Sequence, residues 1–415
     1  MPAVGGHRRD GWLLATSLWS VASSGCGISL PAFGDTRPAD AGPRDAQALD
    51  AADAAAPSPL HVSLDPSFAT EGNLGGDLAD WSPAGVAIDD QGRIVVSGPG
   101  SDPGMPLAEV VRRGTPDGAL DVAFGASGKV TLALSPETWA QAVRVLPSGR
   151  IGILGAASLG GGEGALALRL DADGSTDPTF AGPLLLVPVA GPFSGGLWQD
   201  DGSAFIFGAA ATLRFDASGV ADPAYGAGGL IPPAVAGALA ADGRLWTATG
   251  SRVSRFLATG ALDPSFGRGG AFDLSSGDAA SDAPTLQCVL LEAGDRVLAV
   301  GAHPSGASFD VDVTRLTASG DVDLSYGAGG IASLPAEGGP VGAADLPDGR
   351  LIVWTSYGEL LAISPDGEPA GTFKLDVSGT VLSAALDPAA RLVVVGMDTA
   401  YPPRATWFVR RYLLL

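Results

Sequence analysis

Carboxylates are the residues in this chain most able to do chemistry. The unit Asp-x-x-Phe/Tyr recurs as Asp121 with Phe124, Asp177 with Phe180, Asp222 with Tyr225, Asp263 with Phe266 and Asp323 with Tyr326, and Asp65 with Phe68 stands ahead of them. A carboxylate in such a setting could act as a general base or a calcium ligand. An active site, however, needs one asymmetric cluster, and a residue repeated with its own aromatic is better explained by the architecture that repeats. Asp can accept backbone N–H groups in an Asx-turn, Pro66, Pro178, Pro223 and Pro264 preset φ for it, and the aromatic can fill a gap between packed units. An Arg lies eight residues before the Asp at Arg113, Arg169, Arg214, Arg255 and Arg315. In one copy both partners are lost together, leaving Ala362 and Ala370 while Phe373 keeps the aromatic place, which marks the two as an ion pair.

Other candidates are sparse. The three histidines are His7, His61 and His303, the last expected in a loop, so a His-based metal site or triad has little to draw on. Asp171-x-Asp173-Gly174 has the opening of a calcium loop without its later ligands. Cys288 falls at a position held elsewhere by Val, Gly and Ala and reads as a small packing residue. No metal ligand and no cofactor is expected. The ligand-binding candidates are aromatic: Trp81 and Trp139 precede strand-like stretches, and Tyr401 lies in a long connection, in keeping with the preference of interfaces for Trp and Tyr. Burial between packed units is the competing expectation for the two tryptophans.

The element that carries these residues is an apolar stretch, a Gly-centred turn and a second apolar stretch, as in Val86 to Gly98. The turn positions are Gly92, Gly149, Gly202, Gly243, Gly294, Gly349 and Ala390. Asp-Gly or Ser-Gly between β-prone runs predicts a hairpin. With the Asp-x-x-aromatic segment and a short apolar stretch after each hairpin, every repeat supplies four strands. The predicted fold is all-β, a seven-bladed propeller of four-stranded blades, spanning residues 61–415. The ends of the chain predict how it closes. Arg411 occupies the Arg position with no Asp after it, and Asp65 has no Arg before it. The segment from about Glu71 to Asp80 should therefore complete the seventh blade, with Arg411 and Asp65 as a structural pair. Seven residues before each turn stand Gly85, Ala142, Gly195, Ala236, Gln287, Gly342 and Ser383, mostly tiny, as strands crowded about an axis require. Arg144 and Asp345 are the charges nearby, and neither has a His beside it.

The repeated LDxSFG-like kernel resembles the delta-60 repeat of exported bacterial β-propeller proteins, over nearly all of the chain after Leu60. The resemblance implies a propeller and export, and no substrate.

The amino terminus agrees with export. His7, Arg8 and Arg9 precede an apolar run from Gly11 to Val21, and Ser23, Ser24 and Gly25 lead into Cys26. Residues 1–26 therefore read as a signal peptide ending in a stretch that resembles a bacterial lipobox, in which Cys26 would be lipidated. A disulfide would have to join Cys26 to Cys288, the chain's only other cysteine, and acylation would forbid it. Residues 27–60 are rich in Ala, Asp and Pro and suit a disordered tether. The formal net charge of −21 repels phosphate backbones, so no nucleic-acid partner is expected. Contact with a membrane is expected through the lipid alone, facing periplasm or cell surface. The expected function is a binding scaffold whose ligand, a protein or a carbohydrate, meets the loop face. The alternative is a metal-assisted propeller enzyme of the lyase or lactonase kind.

Overall fold

The computed structural model describes residues 59–77, 81–100, 108–132, 138–159, 162–180, 185–187, 193–274, 283–398 and 406–415. All regular structure among them is strand. The first blade is typical: Gly85–Ile88, Ile94–Gly100, Ala108–Gly114 and Lys129–Leu132 run antiparallel in chain order. The same order builds blades two to six, which begin at Thr138, Phe193, Ala236, Thr285 and Pro340. Each innermost strand packs against the next, and the innermost strand of blade seven, Gly379–Leu386, packs against Gly85–Ile88, so the ring closes.

Local chemistry explains the hairpins. All seven predicted turn positions have positive φ, from 77° to 87° at the six glycines and 58° at Ala390. A left-handed residue is nearly free for Gly and costs an alanine about 1 kcal/mol or more. The seventh hairpin therefore carries a strain that the other six avoid.

The closing blade contains three strands from the carboxyl-terminal part of the chain and a fourth supplied in two pieces by the beginning of the ring. Asn73–Asp77 pairs with the first half of Thr406–Leu414, from Asn73 opposite Arg410 to Asp77 opposite Thr406. Val62–Leu64 pairs with its far end, Val62 opposite Leu414. The second pairing was not foreseen. Between the two pieces, Pro66 to Gly72 form the Asx-turn segment, which lifts the chain off the ladder and returns it. The Arg411 Nε–Asp65 Oδ2 distance is 2.7 Å, and both side chains are almost fully buried.

Core residues form clusters between neighbouring blades. Between blades six and seven, Trp354, Leu360, Ile352, Phe408 and Tyr412 pack together. Between blades seven and one, Trp81, Phe68, Val96, Val393 and Trp407 do so.

Candidate functional site

The repeated Asp resolves into a staple. Its Oδ1 accepts the backbone N–H two residues on, at 2.8 Å in Asp177 and 2.9 Å in Asp65, and its Oδ2 takes the Arg. The Arg does more than pair. Arg169 donates from Nε to Asp177 at 2.6 Å, from Nη2 to the Thr179 hydroxyl, and from Nη1 to the carbonyl of Ala217 in the next blade at 2.8 Å. Arg255 reaches Ala318 O at 2.6 Å and Arg315 reaches Pro365 O at 2.8 Å, again in the following blade. Arg113 and Arg411 reach Ala172 O and Pro116 O in the same way. Each guanidinium also lies 4.5 to 5.1 Å from the centroid of its kernel aromatic, a cation–π contact in a desolvated place.

The carboxylates respond. Burial raises the Asp177 pKa, but the hydroxyl and N–H of Thr179 and the Arg169 charge outweigh it and bring it down to about 2. Asp65, Asp263 and Asp323 are likewise held below the usual carboxylate range. An ionised, fully engaged carboxylate has no lone pair to spare for a base's work, so these residues hold blades together.

The aromatic candidates are distributed unevenly. Trp81 is only 2% exposed, packed edge-on against Trp407 at 4.9 Å between centroids and capped by the Arg112 guanidinium at 4.5 Å. It does not present its ring to solvent. Of the two expectations for this residue, packing is the one its position satisfies: the wedge between blades seven and one has room for a large ring. Trp139 is half-buried against the cluster between blades two and three. Tyr401 and Cys26 lie outside the described residues. Cys288 is fully buried on the innermost strand of blade five.

After Gly155 and Gly301 the described residues form no long loop. The hairpins of blades two and five simply continue, as Ile151–Leu159 with Gly162–Leu170 and Arg296–Ser305 with Ser308–Leu316. His303, expected in a loop, therefore stands in a strand. Register places it opposite Asp310, and Asp312 and Thr314 follow on the same face, opposite Ser333 and Ile331 of the outer strand. His303 Nδ1 lies 2.7 Å from the buried Asp312 Oδ2, and Nε2 lies 3.7 Å from Asp310 Oδ2.

This face borders a groove of about 790 Å³ along the outer edge of blade five, with Phe272 and Leu274 from blade four on one side and Gly367 to Pro369 of blade six at its other end. The volume is that of a small-molecule site, largely apolar with a few convergent polar groups. A His aligned by a buried carboxylate offers one nitrogen to whatever occupies the groove. His303 was noticed in the sequence and dismissed. Its partner Asp312 is nine residues on and becomes visible only once the hairpin turn is placed at Gly306.

Two further acids are perturbed. Burial pushes the Glu109 pKa up to about 8, against hydrogen bonds from the N–H groups of Ala140 and Gly98. Asp345 is raised to about 6, first by burial and then by the charge of Glu292 across the junction of blades five and six. Among the described residues, no group of three or more His, Cys, Asp or Glu could hold a metal ion.

Comparisons with known proteins agree on the architecture. The family model "Domain of unknown function (DUF5122) beta-propeller" matches residues 146–180, which contain the second staple, Arg169, Asp177 and Phe180. Curated protein sequences provide no match. The WD40 β-propeller domain of Doa1 is similar over 85% of this chain and 97% of that one, with 11% identity and a TM-score of 0.53. A streptogramin B lyase structure is similar over 86% and 98%, with 12% identity and a TM-score of 0.49. Likeness at this level is one of fold: the chain is a β-propeller.

Proposed function

We propose that the protein is an exported, lipid-tethered β-propeller that acts as a binding scaffold. The observation that carries the binding part is the groove beside blade five, a concavity with an apolar wall and a fixed His–Asp pair in a ring otherwise committed to holding itself rigid. Rigid sheets that carry a site on extended hairpins suit recognition, because little has to be ordered when a ligand arrives. The groove lies along blade five rather than beside Trp81 and Trp139, so the ligand would meet the ring at that blade.

The export reading rests on residues 1–26, and the tether on Cys26. The competing fate of Cys26 is a disulfide with Cys288, the one other cysteine in the chain. Acylation and a disulfide are mutually exclusive at one sulfur. Detergent-phase partition of the full chain expressed with an export pathway, alongside Cys26→Ser, separates them. The tether predicts partition into detergent that the variant loses. A water-soluble wild type whose mass rises by two hydrogens on reduction overturns it.

The binding reading is tested by thermal-shift screening of wild type beside His303→Gln and Phe272→Ala. Ligands of the groove raise the melting temperature of the wild type and lose that effect in the variants. Stabilisers that act equally on all three bind elsewhere. A metal-assisted enzyme, the competing class, would instead show turnover that chelation abolishes.

A further inference from the structure

We infer that the groove beside blade five selects a ligand carrying a protonated amine on a small apolar body. This rests on the binding reading above and sharpens it to a chemical class.

Acceptors converge at the Nε2 edge of His303. With Nδ1 committed to Asp312, the Nε2 edge of His303 faces Asp310 Oδ2 at 3.7 Å, beyond hydrogen-bond length. In the tautomer whose Nδ1–H donates to Asp312, two acceptors therefore look toward one another with no donor between them. Neither can satisfy the other, whereas a single N–H⁺ group placed alongside satisfies both. Thr314, on the same face but four residues, about 13 Å, further along the strand, is only 2% exposed and borders the groove with an Oγ1 that has no hydrogen-bond partner, a separate polar point that a longer ligand could reach. A buried hydroxyl without a partner costs free energy, which a ligand donor would return.

The charge balance points the same way. Asp312 and Glu368 line the groove, Asp310 approaches His303 from outside that lining, and His303 is the one basic side chain among the lining residues. An anionic ligand would have to approach these carboxylates, and a neutral alcohol would satisfy the acceptors without gaining from their charge. The remainder of the lining fixes the rest of the ligand. Phe272 and Leu274 offer an aromatic and an aliphatic surface, and Val322 and Ala332 continue it. An amine whose apolar body is about the size of one aromatic ring uses both halves of the site.

Three probes of equal shape test the class on the full-length protein: phenethylammonium, phenethyl alcohol and phenylacetate. The chain has only three histidines, so the ring protons of His303 are assigned in the NMR spectrum by comparison with His303→Gln. Phenethylammonium should shift them with a dissociation constant at least about tenfold below that of the alcohol, and phenylacetate should leave them in place. Asp310→Asn should remove most of that preference, and Thr314→Val, about 13 Å along the strand, should leave it in place. If the alcohol or the carboxylate shifts His303 as strongly as the amine, the ligand class is wrong and the groove stands as a site. If none of the three moves His303, the class and the groove fall together. The wild-type comparison needs no variant, so it decides the matter even where a substitution lowers stability.

Discussion

Two junctions of the ring solve the same problem by different means. Between blades two and three, Arg169 binds Asp177, Thr179 and the carbonyl of Ala217 beyond the gap, with Phe180 beneath it. Between blades six and seven the Arg and Asp positions hold Ala362 and Ala370, and an apolar cluster around Trp354, Leu360 and Phe408 occupies the interface. The first arrangement is directional: it fixes the register of one blade on the next through charge-assisted hydrogen bonds. The second has no such guanidinium and rests on apolar area with a backbone hydrogen bond from Val381 N–H to Ser356 O at 2.9 Å. Blade three stands between them, since Arg214 pairs with Asp222 at 2.8 Å while its Nε has no partner. One sequence thus shows that the staple is an option of the repeat. A buried ion pair need not surpass well-packed apolar residues in stability, which is why one junction can dispense with it.

The comparison is broken most severely at the seam. Arg411→Ala takes from the buried Asp65 its close cation, leaving Arg391 at 3.8 Å and the two donors of Ser67, and removes the link to Pro116; it should cost about 3–5 kcal/mol, read as loss of denaturation midpoint. If the cost stays below about 1 kcal/mol, stapled and unstapled junctions are energetically alike and the distinction loses its content.

A comparable effect tests the junction of blades one and two, where Glu109 holds the N–H of Ala140. With its folded pKa raised to about 8, the native state keeps a proton that the unfolded chain releases above its ordinary value near 4.5. Stability therefore falls as pH rises between those two values. Glu109→Gln removes that slope and should gain roughly 4 kcal/mol at pH 8. Equal pH profiles for variant and wild type would contradict the assignment.

Acid discriminates the two kinds of junction in the opposite sense. Asp177 has a lowered folded pKa of about 2, so its contribution is complete above the unfolded value near 3.8 and disappears as pH falls toward 2. The loss is about 2 kcal/mol from this residue. In hydrogen exchange at pH 2.5, amides around Asp177 should gain exchange ahead of those around Trp354. The reverse order would mean that the apolar junction is the weaker one.

The mildest change is Ala390→Gly in the hairpin of blade seven. It relieves a positive φ and should stabilise by about 0.5 kcal/mol, after the entropy of Gly in the unfolded chain is set against the relief. A measured loss would show that the left-handed conformation is not strained there.

Repetition made the blades legible. Seven turns at regular positions, and the exchange of Arg and Asp between the two ends, are local patterns that survive in one dimension. What depended on neighbours across a gap did not. Trp81 precedes a first strand whether it faces solvent or wedges between blades, and only the packing of Trp407 and Arg112 against it decides. Val62–Leu64 carries too little pattern in three residues to announce a strand. In blade five, Pro304, Ser305 and Gly306 have loop composition, yet the strands continue almost to the glycine because the outer strand Ile331–Ala336 supports them. Glu109 was unreadable because its environment is made by another blade.

Where the chain joins the ring has a mechanical consequence. Any force borne by the segment ahead of Pro59 is delivered first to the three residues Val62–Leu64 and then to Asp65, the pairings that shut the circle. The point where the described chain enters the ring and the clasp coincide. Traction there is resisted by a short run of ladder bonds in series with one guanidinium, and rupture begins at the clasp before any blade is unfolded.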